Sequence, residues 1–245
     1  MTGIEVCANS LPSALAAQEG GAIRVEFCDN LAEGGTTPSA GQLLLARQSL
    51  HIGLWPIIRP RGGDFLYSDL EFRIMQEDIK LCKSIGCDGV VTGILMADGQ
   101  IDTARMRQLV ELALPMPLAF HRAFDMSRNF EEALGELIGL GIKRVLSSGG
   151  KSSAWAGRET LAALVKLAQA QIEIMPGAGV NAENIGELRA TGATQFHASC
   201  KTSISSRMNF RNHDALMGSL TDEYSYEQTT AARVRELVNA LQAAG

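Results

Sequence analysis

The chain has 245 residues, 46% of them hydrophobic, which suits one large α/β domain with a sizeable core. Its formal net charge of −5 gives no global attraction to nucleic acid or an anionic membrane. No stretch approaches the ~20 apolar residues of a membrane span, and the start lacks the basic flank and apolar run of a secretory leader. Five widely scattered cysteines point to free thiols in a reducing cytosol, not to a disulfide scaffold.

Short β-branched or aromatic runs alternate with stretches of helical spacing. Ile4–Cys7 leads into a helix at Leu11–Glu19, and Arg24–Phe27 into one at Ser39–Ser49. Trp55–Ile58 precedes Asp69–Ile85, Gly89–Thr92 precedes Thr103–Leu114, and Leu118–His121 precedes Phe130–Leu140. Arg144–Ser147 precedes Glu159–Ala170, Glu173–Met175 precedes Asn184–Ala190, and Gln195–Ala198 is the eighth run. A glycine follows several of these helices (Gly21, Gly86, Gly141, Gly192), where a left-handed residue ends a helix cheaply. About eight such units in ~250 residues predict a (β/α)₈ TIM barrel occupying residues 1–245 as a single domain. An open doubly wound sheet usually has fewer strands, and no G-x-G-x-x-G follows the first one. Ser199–Thr221 reads as a long polar loop and about 226–243 as a final helix.

Strand side chains alternate between faces. Ile4, Val6, Val25 and Phe27 suit the helix-facing side, which turns Glu5, Cys7, Glu26 and Cys28 into the barrel. The first two strands then share an apolar-Glu-apolar-Cys pattern at matched positions. The same alternation turns Arg59, Thr92 or its neighbour, His121, Met175 and His197 inward. Barrel interiors are ordinarily layered Val, Ile and Leu, so these charges either pair structurally or serve a site at the strand ends.

Several constellations carry chemistry. Arg59-Pro60-Arg61-Gly62-Gly63-Asp64 is a candidate anion clamp, or a charged turn. His121 is a candidate acid/base or metal ligand, with Asp125 to orient it; a strand histidine is also often a satisfied core residue. Glu5 and Glu26 are candidate proton-transfer groups, or members of an ion-pair cluster. The loops at Gly149 and at Gly177–Gly179, with His197 and Ser199 beside them, can form a phosphate cup, although glycine-rich turns are common in this fold. Cys7 and Cys28, from neighbouring strands, can clamp a soft ion such as copper(I), form a disulfide on oxidation, or be small buried hydrophobes.

Taken together, these stretches resemble the CutC family of copper homeostasis proteins. The matching segments run through nearly the whole chain. They include Arg24-Val25-Glu26-Phe27-Cys28, Glu33-Gly34-Gly35-Thr36-Thr37-Pro38-Ser39 and Ile58-Arg59-Pro60-Arg61-Gly62-Gly63-Asp64-Phe65. Glu5-Val6-Cys7, Tyr67-Ser68-Asp69, Phe120-His121-Arg122-Ala123-Phe124-Asp125, Met175-Pro176-Gly177-Ala178-Gly179-Val180, Phe196-His197-Ala198-Ser199 and Phe210-Arg211-Asn212 complete the set. The resemblance implies a cytoplasmic barrel, often a homo-oligomer (a dimer or tetramer is expected), that handles copper. It also implies copper(I) ligation by Cys7 and Cys28. The rival expectations are an enzyme acting on a small phosphorylated or carboxylated metabolite at the barrel mouth, and an oligomeric scaffold that uses the 199–221 loop as contact surface.

Overall fold

The computed structural model describes residues 2–212, 214–215 and 222–245. In chain order its elements are β1 (Gly3–Ala8), α1 (Leu11–Glu19), β2 (Arg24–Phe27), α2 (Ala40–Ser49), β3 (Gly53–Pro56) and α3 (Asp69–Ile85). They continue with β4 (Val90–Thr92), α4 (Thr103–Ala113), β5 (Leu118–Phe120), α5 (Phe130–Gly139), β6 (Arg144–Ser147) and α6 (Arg158–Ala168). The last are β7 (Glu173–Pro176), α7 (Ile185–Arg189), β8 (Gln195–Ala198), β9 (Lys201–Ser205), β10 (Ser225–Thr229) and α8 (Ala231–Ala243).

The first eight strands are parallel and follow one another around a ring. One arc runs β3-β2-β1-β8 and the other β4-β5-β6-β7. A parallel bridge from Ile57 to Val91 joins the arcs on one side, and β7 lies against β8 on the other. The architecture is the expected (β/α)₈ TIM barrel.

The predicted alternation holds on the outer face. Ile4, Val6, Val25 and Phe27 have no exposed surface and belong to the apolar layer between strands and helices. Burying each such side chain stabilises the fold by about 1.5–3 kcal/mol. Helix entry is equally local. Ser68 caps α3 and forms a reciprocal capping box with Glu71, and Gly86 closes the helix at φ +82°.

Most boundaries lie within one or two residues of expectation, and the departures that bear on the site or the fold are these. The third strand starts at Gly53, so Ile57 joins the sheet only through its bridge to Val91. The fifth ends at Phe120, and His121 instead caps a short 3₁₀ turn, Arg122–Met126. The polar stretch after β8 is not wholly a loop. Lys201–Ser205 forms an antiparallel ribbon with Ser225–Thr229, and the last helix starts at Ala231. Its Ser, Thr and Tyr residues suit a solvated two-stranded ribbon as well as a loop, which is why composition misreads it. Residues 213 and 216–221 of that stretch lie outside the described residues.

Candidate functional site

The barrel interior is polar at its centre. Glu5 is 1% exposed and pairs with the Arg24 guanidinium, with Arg144 at 3.6 Å and with His197 Nδ1 at 2.9 Å. Burial alone would raise the Glu5 pKa. The charges of Arg24 and Arg144, helped by His197, outweigh it and hold the carboxyl well below the ordinary carboxylate range. Trp55 completes this layer, with the Arg144 guanidinium 4.3 Å and that of Arg24 5.6 Å from its ring.

Glu5 and Glu26 are not level, as their shared pattern implied. Glu5 pairs with Arg24, and Cys7 with Glu26. Barrel closure requires strands to tilt and shear, and the stagger is that shear. It puts Cys7, Glu26 and His197 in one group, whose ligand atoms all lie within 4.8 Å of one another. Cys7 Sγ also lies 3.6 Å from Cys28 Sγ.

The titration states follow from these neighbours. The hydrogen bond with Cys28, then burial, pushes the Cys7 thiol well up, so it is protonated in the free protein. Burial, joined by the Glu5 charge, raises the Glu26 pKa even though His197 opposes it. Burial would lower His197, but Glu26 and the hydrogen bonds to Cys7 and Glu5 raise it well above its ordinary value. His197 is thus an imidazolium held between two carboxyl groups, with Nε2 3.6 Å from Glu26.

Above this cluster a cavity of about 380 Å³ opens at the strand ends. Cys7, Glu26, Arg59, His121, His197 and Ser199 reach it, together with the Ala178–Gly179–Val180 turn and an apolar wall including Leu31, Ile57 and Phe65. Arg59 and His121, predicted from different motifs, meet here across Phe65. The ring of His121 is 4.9 Å from that of Phe65, and the Arg59 guanidinium is 5.0 Å from it.

Other predicted site residues go elsewhere. Arg61 binds Glu71 and Asp64 at 2.6 and 2.9 Å, outside the cavity lining, and so buttresses the start of α3. Asp125 does not contact the His121 ring. Its carboxylate accepts the Ser148 and Gly150 amides and both the Ser147 and Ser148 hydroxyls, and it pairs with Arg122. An internal carboxylate therefore takes the Ser148 and Gly150 amides, and the Gly149 amide between them donates to Ser147 Oγ, so these donors are already used. Gly177 lies directly beneath His197: a Cβ on it would sit 3.2 Å from the His197 Cβ.

Residue types picked out Glu5, Cys7, Glu26, Cys28, Arg59, His121 and His197. They missed Arg24, Arg144 and Trp55. Arg24 shares the alternation of Glu26 and Cys28, which was the available signal, but a charged residue opening a strand reads as a solvated end.

Against known proteins, the CutC family model matches residues 2–202. The chain belongs to the CutC family. A CutC protein of Chromobacterium violaceum is 53% identical over 243 residues, covering 98% of each chain. The human protein named copper homeostasis protein cutC homolog is 45% identical over 237 residues, covering 96% of this chain and 87% of its own. The crystal structure of a CutC protein from Streptococcus agalactiae has a TM-score of 0.78 and 40% identity, over 81% of this chain and 99% of that one. Within this CutC barrel, the thiol pair and His197 bring two sulfurs and an imidazole close together, and soft sulfur is the kind of ligand that selects copper(I).

Proposed function

We propose that the chain binds copper(I) at Cys7 and Cys28, with His197 as the nearest additional ligand, and handles the ion in a reducing compartment, the cytosol. The observation that carries this reading is the 3.6 Å separation of the two buried sulfurs beneath an open cavity. With a metal–sulfur bond of about 2.3 Å, that spacing corresponds to an S–metal–S angle of roughly 100°. An ion held so needs a third ligand, and His197 is in reach of Cys7. A linear two-sulfur site would need the pair to open by about 1 Å on the same bond length.

The electrostatics support the same reading. Two thiolates and one copper(I) carry a single net negative charge. Beside the site, two guanidiniums, Arg24 and Arg144, face the one carboxylate of Glu5, so that cluster carries positive charge to offset it. The thiol and imidazolium protons must leave as the metal enters, so affinity rises with pH. X-ray absorption of the copper-loaded, reduced protein tests the ligand set. Two sulfurs and one nitrogen are expected. A shell made only of nitrogen or oxygen overturns the assignment. The relatives' names, which refer to copper homeostasis, agree with this proposal.

A further inference from the structure

The loop between β2 and α2 lies on the thiol pair. Asp29 and Thr36 bridge to each other and close it. Between them come a short 3₁₀ turn, Leu31–Glu33, and then Gly34 and Gly35. Leu31 packs against the apolar cluster that contains Cys7 and Cys28, and the buried Gly35 is seated on Cys28 itself. A Cβ on Gly35 would stand 3.3 Å from the Cys28 Cβ and 3.7 Å from its sulfur, at a φ of +90° that few side chains tolerate. Beneath this loop Cys28 has no exposed surface and does not line the cavity, whereas Cys7 does.

Two successive glycines at positive φ have no side chains with which to anchor the loop. Arg59 anchors it. Its side chain is buried, and Nη1 donates to the carbonyls of Glu33 and Gly35 at 2.6 and 3.0 Å. Nη2 donates to the Gly63 carbonyl at 2.7 Å. The Arg59 backbone is tied to the far end of the same loop: its amide donates to Thr37 Oγ1 at 3.0 Å, and its carbonyl accepts the Thr37 amide at 3.0 Å. A planar, charged fork thus joins the cover of Cys28 to the segment that follows β3, with hydrogen bonds of the stronger, charge-assisted kind.

We infer that Arg59 is a positioning residue of the copper site. By clasping the Glu33 and Gly35 carbonyls it keeps Gly35 seated on Cys28, so the ion enters and leaves from the cavity by way of Cys7 and is guarded at Cys28. Arg59 itself does not touch the metal. The part in copper exchange rests on ligation by the thiol pair; the clasp does not.

The test follows alkylation of each cysteine by iodoacetamide in the reduced, copper-free full chain, read by peptide mass spectrometry. In Arg59→Gln, Cys28 is expected to react at least about tenfold faster than in the native chain, the scale of one lost hydrogen bond to a charged group. Cys82, which has no exposed surface on α3, gauges general loosening and is expected to keep its native rate. Arg59→Lys keeps a cation but loses the planar fork, so a smaller rise at Cys28 is expected. It carries the test if Arg59→Gln does not fold. An unchanged Cys28 rate, or one that rises only in step with Cys82, overturns the clasp. Loaded with copper(I), Arg59→Gln is expected to surrender the ion to a chelator at least about tenfold faster than the native chain. An unchanged release rate beside faster Cys28 labelling overturns the guarding of the metal. Labelling uses no metal, so a chain that binds no copper would sink the copper reading and still leave the clasp judged by alkylation.

Discussion

Cys7 and Cys28 meet diagonally: Cys7 pairs across the sheet with Glu26, yet its sulfur lies 3.6 Å from that of Cys28. The shear of the barrel creates this contact. It also brings Glu26 and His197 to the same sulfur, so one strand offset assembles both the thiol pair and its polar surroundings.

Glu5 should be the keystone of the interior. Glu5→Gln strands Arg24 and Arg144, both buried, and should cost about 3–5 kcal/mol in denaturant unfolding. The Glu5 pKa is lowered in the folded state, so its contribution is complete above the unfolded value near 4.5 and fades as pH falls below it. Native stability should therefore drop on acidification from about pH 4.5 downward, more steeply than that of the variant. A loss under about 1 kcal/mol with parallel pH slopes would contradict the keystone role.

Asp125 should matter for the loop and not for the metal. Asp125→Asn removes acceptor capacity from the Ser148 and Gly150 amides. It should cost about 1–3 kcal/mol and speed hydrogen exchange across residues 147–151. Copper affinity should stay within a few-fold. A loss of copper binding as large as that of the cysteine variants would return Asp125 to the site.

Gly177 offers a way to move His197 without replacing it. A Cβ there would sit 2.4 Å from Leu146 Cδ1 and 3.2 Å from His197 Cβ. Leu146 can yield at its flexible end, so the strain passes to His197. Gly177→Ala should cost about 1–3 kcal/mol of stability and about tenfold in copper affinity, roughly 1.4 kcal/mol. Unchanged affinity would remove His197 from the ligand set.

The barrel was legible in the sequence because each strand and helix is a local pattern, repeated with a glycine stop. The ribbon of Lys201–Ser205 with Ser225–Thr229 was not, since its partners lie far apart in the chain and both strands are polar. At the site, residue type was enough to single out Cys7, Cys28, Glu26 and His197. Partnership was not readable. Arg61 and Asp125 had the right chemistry for a ligand, but their neighbours Glu71 and Ser148 already satisfy them. The inward turn of Arg24 depended on register, which a single strand read alone does not reveal.

The most direct measurement is anaerobic titration of the reduced protein with copper(I) against a competing chelator, beside the Cys7→Ser/Cys28→Ser variant. The account predicts stoichiometric binding by the native chain, and a loss of more than about 100-fold in the variant, beyond what loss of a supporting group costs. Equal binding by the two proteins, or failure of both to compete with the chelator, would contradict copper ligation by this thiol pair.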